Sequence, residues 1–144
     1  MDSIKITGIK RITINDNPQR VIEFNPSDIL FAERFYEIYR EFEQKQVEFQ
    51  QRSKKLDQNK TELDENGLPA NFEPGLKFLK EVCTYMREKI DILFGTGTSQ
   101  TVFGDALSFE MIAQFFEGIT PFVYEARSEK VKKYTAKGTS NVMK

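Results

Sequence analysis

Two apolar seams with the same rhythm constrain this chain more than any other feature. Leu76, Leu79, Cys83, Met86, Ile90 and Leu93 step by three and four residues, and Phe109, Ile112, Phe116, Ile119, Val123 and Ala126 repeat the stepping. A 3-4-3-4-3 spacing keeps side chains on one face of an α-helix, whereas the faces of a strand alternate every second residue. Phe78, Val82 and Tyr85 widen the first seam, and Phe115 and Phe122 lie beside the second. The first of these helices is therefore expected to be buried on more than one side. Gly118 and Pro121 interrupt the later one, so Thr120-Pro121 either starts a separate last helix or kinks a continuous one.

A third long helix is expected upstream. In Asn25-Pro26-Ser27-Asp28, Asn25 suits the N-cap, Pro26 the first helical position, and Asp28 complements the helix dipole. Phe24 and Ile29 then stand where a hydrophobic staple would join them. Phe31, Phe35, Ile38, Phe42 and Phe49 mark one face, and Glu41 with Lys45 and Glu48 with Arg52 are i, i+4 pairs on the solvated side. The helix is expected to reach about Gln58. Its second half keeps only a thin stripe of Val47, Phe49 and Leu56, which suits a segment that protrudes or packs on another chain.

Residues 3–24 read as a β-hairpin. Ile4, Ile6, Ile12 and Ile14 alternate with polar neighbours, Asn15-Asp16-Asn17-Pro18 is a turn cluster, and Val21, Ile22 and Phe24 follow. A lone hairpin is marginal in water, so it serves either as a lid on the helical core or as an edge for a partner strand. The acidic stretch 61–75, TELDENGLPANFEPG, reads as a loop.

The stretch FGTGTSQTVFGD, residues 94–105, raises the question of phosphate binding. It lacks the lysine and glycine spacing of the nucleotide motifs and follows a helical seam where those motifs need a strand. Gly95 suits a helix C′ position and Asp105 an N-cap, so the stretch is expected to be a connector. Chemistry is limited elsewhere too. The 144 residues include no histidine and one cysteine, which removes Cys/His zinc sites and His-dependent triads. Cys83 lies within a seam and reads as a core residue. The reading is of a non-enzyme with no catalytic, cofactor or metal residues.

The net charge of −1 argues against a dedicated nucleic-acid binder. No apolar run reaches the roughly 18 residues of a membrane helix, and MDSIKITGIK has no secretory h-region. A single domain is expected over 1–134, mainly α: a bundle of three long helices, the third open to a break at Pro121, with an N-terminal hairpin. Residues 135–144 read as a flexible basic tail.

The stretches NPSDILFAERFYEIYREFE and VCTYMREKIDILFGTGTSQTVFGDALSFEMIAQFFEGITPFVYEAR, with the lysine-rich end, give the chain its character. In these it resembles tail-assembly chaperones of Gram-positive phages and prophages, mainly helical proteins that coat the tape-measure protein before the tail tube forms. The resemblance implies the bacterial host cytoplasm and a tape-measure or other tail protein as partner. It transfers no ligand residues. Homo-oligomers are expected from the residues themselves, because the polar second half of the first helix, 45–58, lacks the apolar surface to pack fully within one domain and the hairpin edge offers an additional pairing site. From the residues themselves, Val47 and Phe49 on the first helix and Lys130, Lys132 and Lys133 in the basic stretch are the candidate partner contacts. The other readings are a structural tail protein retained in the virion and a small regulator that binds nucleic acid through residues 127–137.

Overall fold

A computed structural model describes residues 1–57, 63, 65–67 and 72–142; the side chains of 53–57 and 127–142 lie outside the described set. The order is β1 (Lys10–Ile14), β2 (Asn17–Phe24), α1 (Ile29–Asp57), α2 (Phe72–Phe94), α3 (Thr98–Phe103) and α4 (Phe109–Val142). The protein is mainly helical, with three long helices, a short fourth one, and an antiparallel hairpin.

The hairpin is shorter than the sequence reading. It closes through Asn15 and Asp16, both at positive φ (53° and 57°), the conformation of a two-residue turn whose twist matches its strands. Lys10 pairs with Phe24, and there the pairing ends. Beyond Phe24 the chain turns at Asn25-Pro26 toward α1, so β2 offers no further partner to residues 3–9. Ile4 and Ile6, expected in a strand, are exposed without one. Pairing also shifts between Thr13, opposite Val21, and Ile14, opposite Asn17, leaving Pro18, Gln19 and Arg20 as extra residues on β2. Such a bulge bends its strand and re-aims side chains.

The start of α1 also differs. Asp28, not Asn25, is the cap: its Oδ1 accepts the Leu30 amide at 3.0 Å and its carbonyl accepts the Ala32 amide. Asn25 instead builds the preceding turn, where its Oδ1 accepts the Ser27 amide and hydroxyl at 3.1 and 2.7 Å. The staple with Ile29 does not form, since Ile29 is 65% exposed; Phe24 stacks on Phe31, centroids 5.7 Å apart.

Phe31, Phe35, Ile38 and Phe42 from α1, Val82, Cys83, Met86 and Ile90 from α2, and Ile112, Phe116, Ile119 and Val123 from α4 form the core. Ile22 and Phe24 of β2 enter it with Val102 and Phe103 of α3. Many of the phenylalanines form a continuous run of ring contacts: Phe31 on Phe94, Phe94 on Phe115, and Phe42 on Phe109 are each at 5.1 Å. Pairs of this kind add about 0.5–1.5 kcal/mol beyond their buried area. The ends of the α2 seam are looser than its rhythm suggests, with Leu76 exposed and Leu93 half-buried.

α4 is continuous through Pro121, which resolves the choice left open at Thr120-Pro121. The Thr120 hydroxyl donates to the Phe116 carbonyl at 2.6 Å, next to the bond that the proline cannot make. The helix runs on to Val142, so much of the segment 135–144 that reads as a flexible tail carries helical backbone. Extending an existing helix costs far less than nucleating one, which is why a stretch without periodicity can follow a strong seam.

Candidate functional site

The connector stretch 94–105 is more than a connector, because α3 forms inside it. Gly95, at φ 117°, ends α2, and its amide donates to the Asp91 carbonyl. The Asp91 carboxylate then accepts from the Ser99 amide at 2.7 Å and the Ser99 hydroxyl at 2.9 Å. Arg20, re-aimed by the β2 bulge, donates to the Thr101 and Val102 carbonyls at 2.9 and 2.6 Å. Those carbonyls lie at the C-terminal end of α3, where a cation complements the helix dipole. Arg87 donates to the Ala106 carbonyl and to Gln100, whose amide in turn donates to Asp105. Asp105 is therefore a loop partner. The cap of α4 is Ser108, whose Oγ accepts the Met111 amide at 3.2 Å. The buried Ser99 and the inward carbonyls of this loop have partners within the chain, so the loop serves to lock β2 to α2.

A recess on the surface lies between α1 and α2. A groove of about 330 Å³ is lined by Glu41, Gln44 and Lys45 on one side and Phe78, Glu81, Val82 and Tyr85 on the other. Phe78, Val82 and the Tyr85 ring supply its apolar lining, while Glu41, Gln44, Lys45 and Glu81 line the rest. The Tyr85 hydroxyl donates to Glu41 Oε2 at 2.7 Å and ties the helices together. That hydrogen bond first, then burial and the Glu41 charge, push the Tyr85 phenol above its usual range. Lys45 bonds Glu48 at 3.3 Å, and Glu48 accepts from Arg52 at 2.9 Å as its i, i+4 spacing suggests. Arg52 also lies over the Phe78 ring, 4.5 Å from its centroid.

The two apolar candidates on α1 have different surroundings. Val47, 52% exposed, is one turn along α1 from Gln44 and lies outside the lining of the groove. Phe49 is half-buried, its ring parallel to Phe78 at 6.0 Å and 5.9 Å from Phe109. Its ring is thus already committed within the chain. Lys130, Lys132 and Lys133 are on α4, but their side chains lie outside the described residues, as does that of Leu56. The sequence does not announce the groove, because Glu41 and Lys45 read as a solvated pair while Phe78, Val82 and Tyr85 read as part of the core seam.

Among the described residues no group of three or more His, Cys, Asp or Glu is placed to hold a metal ion. Among them, too, no helix is long and apolar enough to cross a membrane. Cys83 is 1% exposed; burial pushes its thiol upward, against the opposing pull of Arg87.

Residues 18–142 match a family of unknown function, DUF6673, and the chain belongs to that family. No curated protein and no solved structure matches it.

Proposed function

We propose that the protein is a non-enzymatic tail-assembly protein of a bacteriophage or prophage, a chaperone that binds the tape-measure protein in the host cytoplasm. The resemblance of its two long sequence stretches to such proteins supports this reading. The observation that carries it is the groove between α1 and α2, apolar in part, with Val47 exposed on α1 one turn beyond Gln44 of its lining. An extended helical partner suits such a groove, with anchors at i, i+3 and i+7. The basic stretch 127–137 would add electrostatic steering, which acts mainly on the encounter rate and fades with salt.

The test is co-expression with tape-measure fragments followed by capture. Val47→Asp is expected to lower capture at least about tenfold, a loss of roughly 1.4 kcal/mol, with an unchanged melting temperature. Phe49→Ala is expected to weaken the fold as well, by about 1–3 kcal/mol, because it removes a ring shared by two neighbours. Capture by Val47→Asp equal to that of the parent chain would remove this face of α1 from the account.

A further inference from the structure

The segment preceding β1 is a strand sequence without a strand to pair with. Ile4 and Ile6 alternate with Lys5 and Thr7, as in a half-buried strand, yet they are 82% and 86% exposed, and Ile9 is 67% exposed. Isolated exposed isoleucines are ordinary; three within six residues of β-type pattern are not.

The same chain carries a matching acceptor. Among the described residues β1 pairs only with β2, and β2 is the strand that packs on α2 and α3, so the outer edge of β1 is open. Unpaired amides and carbonyls along such an edge are a template for another strand. Beside it, a cleft of about 360 Å³ lies between β1 and α4, lined by Ile12, Ile14, Met111, Phe115, Ile119 and Phe122 among others. A strand added to β1 would set every second side chain on the face that Ile12 and Ile14 share with this cleft.

The segment's own path leads away from that edge. Gly8, at φ 129°, sits against the turn that precedes α1: a Cβ there would lie 3.4 Å from Asn25 Oδ1 and Ser27 Oγ. The chain thus passes the end of β2 instead of doubling back along β1. We propose that residues 3–9 of one copy add antiparallel to β1 of a second copy, and that the two copies exchange these segments about a two-fold axis.

The side chains specify the register. With Ile4 opposite Ile14 and Ile6 opposite Ile12, the apolar residues of both copies meet on the cleft face, and the axis passes at Ile9. Lys5 then faces Thr13 and Thr7 faces Arg11. Sliding by two residues would set Lys5 against Arg11, and like charges directly opposite are unfavourable. Sliding by one would turn Ile4 and Ile6 to solvent. Each copy contributes its segment, its β1 edge and a cleft wall, close to the roughly 20 residues a side of a specific interface. The two-fold makes the surface self-complementary. This exchange involves only copies of the chain and stands whether or not a tape-measure protein binds the groove.

Sedimentation of the full chain at high micromolar concentration is expected to show a dimer. Ile4→Asp with Ile6→Asp should weaken it at least tenfold without lowering the melting temperature, since both side chains are exposed within one copy. Mixing K5C with T13C chains under mild oxidation should give a cross-linked dimer, whereas K5C with R11C should not; the native Cys83 is buried. A strict monomer, a dimer indifferent to the aspartates, or cross-linking of K5C to R11C would overturn the proposal. So would a cross-link within single chains of the K5C/T13C double variant at high dilution, which would show that the segment folds back on its own edge.

Discussion

Arg20 joins the two ends of the chain's logic. Its identity and spacing give no hint of a structural role, since it lies beside a turn cluster in a charged, surface-like setting. The bulge over Pro18–Arg20 aims its guanidinium at two carbonyls of α3 more than eighty residues away. Hydrogen bonds with a charged partner contribute about 1.5–3 kcal/mol net, more than neutral ones. Arg20→Ala is therefore expected to cost about 2–3 kcal/mol and to lower the melting temperature by roughly 5 °C or more. Arg20→Lys should recover little, because a single ammonium does not reproduce the planar fork. A melting temperature unchanged in Arg20→Ala would show that α3 is held by Val102 and Phe103 alone. Cys83, in contrast, was legible from the sequence: a residue inside a 3-4 seam belongs to the core, and there it is.

Among the elements, those with long, strong periodicity were legible and those made by tertiary contacts were not. α1, α2 and α4 follow their seams, and α1 is described as far as Asp57, the expected end at Gln58 lying outside the described residues. α3 has six residues, glycines at both flanks and no apolar rhythm; it exists because Asp91 and Arg20 hold it. The start of α1 failed for another reason. Asn25 and Asp28 are both good caps three residues apart, and local preference cannot rank them when both side chains find backbone partners. The α1–α2 groove was not legible: Val47 and Phe49, singled out from the thin apolar stripe, lie outside its lining, and Phe78, Val82 and Tyr85 read as part of the α2 seam. Asp28→Ala is expected to cost about 1 kcal/mol and to speed hydrogen exchange at the Leu30 amide, which loses its acceptor. Asn25→Ala should leave that amide protected. Loss of Leu30 protection in Asn25→Ala with none in Asp28→Ala would return the cap to Asn25.

For the whole molecule, an aromatic-rich core joins the three long helices, α3 and β2, while two features face outward. One is the groove between α1 and α2; the other is the β1 edge with its preceding isoleucine segment. They lie on different elements, so a partner in the groove and a second copy at the edge can be bound together. The proposed role is transient: the protein holds a long helical partner during assembly and leaves before the particle is complete. The most direct measurement is quantitative mass spectrometry of an induced bacterial lysate and of the virions purified from it. The account predicts that the chain co-purifies with the tape-measure protein from the lysate and is absent from finished virions. Recovery in virions at the copy number of a tail component, or no association with the tape-measure protein before assembly, would contradict it.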